Sequence, residues 1–263
     1  MLVDPGPESS LQTVIEAIGD ERPRAVLLTH IHLDHAAATG AMVRRWPELE
    51  VYVHERGAPH LIDPSKLLAS AERLYGDRLN YLWGEILPVP EGNVRVLSGG
   101  ETVQGMRVAC TPGHASHHVC YLHEETETAF VGDVAACRIP PSKLIVPPTP
   151  PPDINIEVWE ESLDTIAAWQ PRRLALTHFG AVEEDVPGHI EAVRAKLREE
   201  AELARQMEKD AYDADVERRI REELRKEAIE GDTVEELLQA VPTAYQWSGL
   251  DRYWRKKAER EAA

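Results

Sequence analysis

His30-Ile31-His32-Leu33-Asp34-His35 places four potential metal ligands within six residues. The run follows directly on Arg24-Ala25-Val26-Leu27-Leu28-Thr29, which has the pattern of a buried strand. At a strand end His30 and His32 lie on the same side, because the side-chain period is two, so both can face one ion. Asp34 and His35 open the turn into Ala36-Ala37-Ala38, which can aim them at a second position. Neutral imidazoles hold zinc at about 2.0–2.1 Å and tolerate an open position for water. The chemistry on offer is therefore metal-assisted. A bare HxH reads as histidines on a solvated turn; HxHxDH directly behind an apolar strand does not.

Three later segments have the same form, an apolar strand ending in a potential ligand. Val108-Ala109-Cys110-Thr111-Pro112-Gly113 leads to His114, Ala129-Phe130-Val131-Gly132 to Asp133, and Leu174-Ala175-Leu176-Thr177 to His178. The glycines before His114 and Asp133 allow a sharp turn and a close backbone approach. Side chains leaving several strand ends converge on one rim of a sheet. Each segment alone is a weak signal, but in this order they form a set.

That set resembles the metallo-β-lactamase superfamily, whose metal motif runs HxHxDH, then His, Asp and His. The resemblance covers roughly residues 2 to 180. It implies an α/β fold, the four-layer αββα sandwich with metals at one edge of its two sheets. Carried over by position, His30, His32 and His114 would hold the first metal, Asp34, His35 and His178 the second, and Asp133 would bridge. Leu2-Val3-Asp4-Pro5-Gly6 is similar to the family's early strand and Asp-x-Gly turn, in which Asp4 would orient ligands from behind. Members carry about two strands ahead of this turn, whereas Met1 sits almost on it. An earlier start and a first sheet without those edge strands are the two readings.

The same resemblance implies a dinuclear hydrolase with two divalent ions, Zn2+ first and Fe or Mn as alternatives. A metal-bridging hydroxide would attack a small carboxyl-derived substrate, an ester, thioester or lactone. Asp34 stands where a carboxylate orients that nucleophile or carries its proton, a catalytic role beside its metal role. β-Lactamases proper place Cys or His where this chain has Asp133. The glyoxalase II and lactonase-like branches share the His/Asp set. However, the lactonase tyrosine has no counterpart between Tyr121 and Tyr212, and of the basic residues used for glutathione only Arg138 and Lys143 stand nearby. The alternatives are an enzyme similar to persulfide dioxygenases, with one iron on two His and an Asp, and a phosphodiesterase.

These ligands need elements to hold them. Short apolar runs alternate with amphipathic stretches to about residue 186, the texture of a mixed α/β catalytic domain, 1–186. Residues 187–263 read as a C-terminal helical extension. From Gly188 to Glu230 the chain is dense in Glu, Arg, Lys and Ala, with apolar residues at Ile190, Val193, Leu197 and Leu203, so long charged helices are expected. Gly231-Asp232 breaks the run, and Asp232 or Thr233 caps a further short helix. Trp247, Tyr253 and Trp254 offer anchors for docking on the chain's own core; a homodimer contact through these helices is the second reading. Ala58 to Trp83 carries helical periodicity and Pro147–Pro152 must be an extended loop. Both are expected to wall a pocket, with most of the apolar residues Leu61, Leu67, Leu74, Tyr75, Leu82 and Trp83 packing on the domain. His117 and His118 are expected behind the ligands or at the surface. His54, His60, His123 and His189 are expected at the surface or as caps.

The 263 residues, 43% hydrophobic, suffice for a substantial core. A formal charge of −17 disfavours a nucleic-acid partner, since phosphate backbones are held by clustered Lys and Arg, and points to a small-molecule substrate. No stretch approaches the roughly 18 apolar residues of a membrane span, and the first residues lack a signal-peptide pattern, so no membrane association and a cytoplasmic location are expected. Cys110, Cys120 and Cys137, odd in number and without metal spacing, read as reduced thiols, with Cys137 buried and inert.

Overall fold

A computed structural model describes residues 1–138, 140–178, 180–229, 231–240 and 242–262. The chain divides into two compact units, Met1–Cys110 with His117–Tyr121, and Thr111–Ser116 with Leu122–Ala263.

In the first unit β1 (Leu2–Val3), β2 (Ala25–Leu27), β3 (Glu50–His54) and β4 (Val94–Leu97) form one sheet in that order, with every pairing parallel. Parallel neighbours need crossovers. These are α1 (Leu11–Ile18), then α2 (Leu33–Ala36) with α3 (Thr39–Arg45), then α4 (Ala58–Ile62), α5 (Ser65–Tyr75) and α6 (Leu79–Trp83). All three residues of β2 are buried, as in a strand covered on both faces. In β3, Val51 and Val53 are fully buried while Glu50 and Tyr52 are only half-buried, the period of two. These valines join Val26, Leu28, Met42 and Leu49 in one core. Each such side chain contributes about 1.5–3 kcal/mol by leaving water.

The segment 58–83 is largely helical, as its periodicity indicates, and most of its apolar residues pack within the unit, while Leu74 and Tyr81 are exposed. Leu61 joins the strand core, while Leu67, Tyr75, Leu79 and Trp83 surround Leu33, Ala37 and Ala71. Helix α2, which carries Asp34 and His35, thus rests on this layer.

The second sheet comprises β5 (Thr102–Val103), β6 (Met106–Cys110), β7 (Val119–His123), β8 (Thr128–Gly132), β9 (Arg173–Leu176) and β10 (Gly180–Val182), in the order β10-β9-β8-β7-β6-β5. β8 and β9 are parallel and α7 (Ile156–Ala168) is the helix between them.

In the second unit the charged run forms α8 (Val186–Gln206) and α9 (Lys209–Lys226). Their buried faces are Ile190, Val193, Leu197 and Ala201 in α8, and Tyr212, Val216, Ile220 and Leu224 in α9. The break between them carries neither Pro nor Gly and was not visible in the pattern. There the Met207 carbonyl, freed from the helix, accepts the indole N–H of Trp247 at 3.0 Å. After α10 (Asp232–Ala240), α11 (Thr243–Glu261) lays the other expected anchors on the same unit. Trp254 Nε1 donates to Ala201 O at 2.7 Å and Tyr253 donates to Glu157 at 2.8 Å. No helix among the described residues is long and apolar enough to cross a membrane.

Two histidines expected at the surface or as caps are caps, and both are buried. His54 Nδ1 accepts the Arg56 N–H at 3.1 Å, and His189 donates from Nε2 to Ala135 O at 2.9 Å; each is 7% exposed. Burial disfavours their protonation, pulling both pKa values below the ordinary 6.5. The unfolded chain then binds protons that the folded chain refuses, so this stabilisation is complete above the unfolded pKa and is lost as pH falls towards the folded one. A His54→Gln/His189→Gln variant is expected to lose less stability than the parent between about pH 7.5 and pH 5.5 in urea denaturation. Equal losses would show that neither imidazole governs that window.

Candidate metal centre

Of the seven residues marked by their spacing, His30, His32, His114, Asp133 and His178 stand at the ends of strands or on the turns that follow, and Asp34 and His35 on α2. In the first unit, β1 ends at Asp4, whose backbone takes the left-handed conformation, φ 46°, with its N–H on Leu27 O at 3.1 Å. This sets the carboxylate against the end of β2. It accepts Thr29 N–H at 2.8 Å, Thr29 Oγ–H at 2.7 Å and His35 Nδ1–H at 3.0 Å. With its own proton given to Asp4, Thr29 Oγ acts as acceptor for His30 Nδ1 at 3.1 Å. Both rings thus carry their proton on Nδ1 and leave the Nε2 lone pair for a ligand. Asp4 thus holds the His35 ring directly and the His30 ring through Thr29.

His118, fully buried, lies tilted against His30 with ring centroids 5.1 Å apart, and His117 accepts the Ile31 N–H at 3.4 Å. Both support the ligand turn. Tyr121, fully buried, donates to Leu28 O at 2.7 Å and so pins the strand that ends at His30. Burial beside the Asp4 carboxylate pushes its phenol pKa well up, which keeps it a donor.

In the second unit the turn Thr111–Ser116 is held on every side. His114, 1% exposed, donates from Nδ1 to Pro148 O at 2.8 Å, which again frees Nε2. The Gly113 carbonyl accepts Asn155 N–H at 2.9 Å, and Ser116 gives its N–H and its hydroxyl to Asp153 at 3.1 and 2.6 Å. Trp159, fully buried, meets the His114 ring edge-on at 5.5 Å and donates to Val134 O at 2.8 Å, joining the His114 turn to the Asp133 turn. The expected inert thiol of Cys137 is fully buried and free, and burial raises its pKa.

The donor sets fit metal ions. Two ligand atoms about 2.1 Å from one ion lie ~3.0 Å apart at a right angle and ~3.4 Å apart at the tetrahedral angle. His30 Nε2 and His32 Nδ1 are 2.9 Å apart, and His35 Nε2 and Asp34 Oδ2 are 3.5 Å apart. In the second unit His114 Nε2 lies 3.3 Å from one oxygen of Asp133 and His178 Nε2 lies 3.3 Å from the other. A carboxylate flanked in this way, with an imidazole beside each oxygen, has the donor chemistry to hold a divalent ion.

The sequence model of the metallo-beta-lactamase superfamily matches residues 1–178. The chain belongs to that superfamily. It is 30% identical over 173 residues to the metallo-beta-lactamase fold-containing protein ST1585 of Sulfurisphaera tokodaii, covering 61% of this chain and 62% of that protein. The crystal structure of ST1585, described as from Sulfolobus tokodaii, superposes with a TM-score of 0.68 at 23% identity over 95% of this chain and 88% of that one. This agrees with the α/β sandwich of two sheets followed by C-terminal helices. TTHA1623, solved in a di-iron-bound form, superposes with a TM-score of 0.52 at 26% identity, covering 69% of this chain and 82% of that one. The hydroxyacylglutathione hydrolase of Salmonella paratyphi A is 28% identical over 128 residues, 46% of this chain and 38% of the enzyme. The chain thus spans less than two thirds of the length of either curated relative.

The spacing of the ligands did not reveal Thr29, Tyr121 or the Pro148 carbonyl. Thr29 ends a β-branched and apolar run and reads as strand; the carbonyl is backbone and has no signature at all.

Asp4→Asn, at nearly constant size, replaces one acceptor oxygen with an N–H donor; with its remaining oxygen on Thr29 N–H it presents a donor, not an acceptor, to His35 Nδ1. We expect metal affinity to fall roughly 10–100-fold in chelator competition; an unchanged affinity would show that Asp4 does not set the His35 tautomer. Gly113 has φ 132°, and a Cβ there would lie 2.3 Å from the Trp159 Cα. Because the obstacle is backbone, Gly113→Ala should cost about 3 kcal/mol or more in denaturant titration, and a wild-type midpoint would contradict this packing.

Proposed function

We propose that the chain is a dinuclear metal-dependent hydrolase acting on a small carboxyl-derived substrate, an ester, thioester or lactone. The observation that carries this reading is Asp133, with His114 and His178 at equal distances from its two oxygens. On this reading, as the family's motif order implies, His30, His32 and His114 would hold one ion and Asp34, His35 and His178 the other, with Asp133 shared. Divalent ions held there supply Lewis acidity and bring the pKa of a water down towards neutrality. Zn2+ suits an imidazole and carboxylate set. Iron is the alternative, since TTHA1623 was solved with two irons.

The chain's own groups do the rest. Thr29, Asp4 and Pro148 fix which nitrogen of His30, His35 and His114 offers its lone pair. Asp34 is the most accessible of the carboxylates, its side chain 34% exposed against 4% for Asp133. On this reading it orients the attacking water or carries its proton. The name of the Salmonella relative, a hydrolase of an acylated glutathione, supports an acyl substrate.

Protein purified without added metal or chelator should carry about two divalent ions per chain by elemental mass spectrometry. Asp133→Ala should lose most of that metal and all turnover of a panel of esters, thioesters and lactones. Full metal with normal turnover would refute the bridging assignment, and about one iron per chain would favour the sulfur-oxidation reading.

A further inference from the structure

The C-terminal helix α11 lies far in sequence from every ligand, yet it reaches the centre through one buried contact. We propose that Gln246 is a positioning residue for His114, acting through Thr149 and the Pro148 carbonyl. The inference rests on the reading of His114 as a metal ligand.

Residues 147–152 read Pro-Pro-Thr-Pro-Pro-Pro, so Thr149 supplies the one amide N–H in the tract. Prolines have no such donor. Whatever fixes this segment through an N–H must therefore do so at Thr149. That group is 1% exposed and its N–H is accepted by Gln246 Oε1 at 2.8 Å. Gln246, 4% exposed, also takes the Thr149 hydroxyl on the same oxygen at 2.7 Å. A single side-chain carbonyl thus holds both donors of Thr149. The peptide plane that carries the Thr149 N–H is the one that carries the Pro148 carbonyl, because a peptide unit is planar. Holding one end of that unit aims the other, and its oxygen accepts His114 Nδ1–H at 2.8 Å.

The neighbouring contacts make the arrangement stiff. One turn along α11 from Gln246, a Cβ at Gly249 would lie 2.0 Å from the Thr149 carbonyl oxygen, so the helix backbone presses directly on the tract. Further along, Arg252 donates from Nε to Pro152 O at 3.1 Å. Truncating Gln246 would leave the Thr149 hydroxyl on the Gln246 backbone carbonyl at 3.2 Å but take the acceptor from the buried Thr149 N–H, and rotation of that peptide would swing the carbonyl off His114. The ring would then be free to exchange tautomers, which removes the lone pair from Nε2 for part of the time.

The test uses the full chain and Zn2+ alone as probe, with affinity read by chelator competition and stability of the metal-free protein by denaturation. Gln246→Leu should weaken the tighter or the weaker of the two Zn2+ affinities about 10-fold. Gln246→Glu, which keeps an acceptor oxygen, should hold both within about threefold. In a His114→Ala background, Gln246→Leu should have no further effect. Affinities unchanged by Gln246→Leu despite lowered stability would overturn the proposal, as would an equal loss in the His114→Ala background. If His114→Ala alone leaves both affinities intact, the assignment of His114 as a ligand falls, and this inference with it.

Discussion

A neutral imidazole has one lone pair, and it can serve as a metal ligand only if that pair faces the ion. What holds the other nitrogen decides this. In this chain the Nδ1–H of His35 is taken by Asp4, that of His30 by Thr29, and that of His114 by a backbone carbonyl. The surrounding structure follows from these three bonds. Asp4 must sit where a strand ends and must turn left-handed to reach its partners; the pairing of β1 with β2 puts it there. The Thr29 hydroxyl must give its hydrogen away before it can accept one, so Asp4 governs two of the three rings of the HxHxDH turn, those of His30 and His35. The carboxylate is buried and spends itself on an N–H, a hydroxyl and an imidazole, which offsets the desolvation of its charge.

The candidate ligands stood out in the sequence because metal chemistry constrains side-chain type and strand ends constrain spacing. The fold was legible for a related reason: parallel strands such as Ala25–Leu27 are uniformly apolar, and their crossovers carry helical periodicity. The tautomer-setting partners divide by their nature. Asp4 could be picked out because it occupies a recognisable turn. Thr29 could not, since a threonine at a strand end is ordinary, and the Pro148 carbonyl could not, since every residue has one. The burial of His54 and His189 was not legible, because a lone histidine gives no hint of it. Their roles depend on which backbone groups, Arg56 N–H and Ala135 O, happen to need a partner.

The C-terminal helices show the same division. Charge density and apolar spacing announce helices in 186–226, but the stop at Met207 is set by tertiary structure. No helix breaker stands there, and the freed carbonyl is met by an indole from α11. The buried face of α9 carries Tyr212, whose hydroxyl donates to Glu200 at 2.9 Å, with Lys196 on the other oxygen of that carboxylate at 3.1 Å. This contact ties α9 to α8 at one point along both helices. Registering the helices also sets where α11 lies, because Trp254 bonds to Ala201 in α8 and Trp247 to Met207.

His114 and Asp133 stand on turns, and turns are the least rigid part of a fold. Ligands must nevertheless be held within about 0.5 Å of their working geometry. The chain meets this need with a proline tract. Ordering an ordinary residue costs about 1–2 kcal/mol of backbone entropy. Five of the six residues from 147 to 152 are prolines, whose φ is already fixed in the unfolded chain. The tract therefore reaches its ordered state at a smaller entropic cost than a loop of ordinary composition. It also loses almost all of its own donors, so it cannot be held by a sheet ladder. Its carbonyls remain available, and the structure uses them: Pro148 O for His114 and Pro152 O for Arg252. A segment that can accept but hardly donate is suited to aiming an oxygen at an imidazole N–H, provided that something fixes its one amide. In this chain that amide belongs to Thr149, and the group that takes it comes from the last helix.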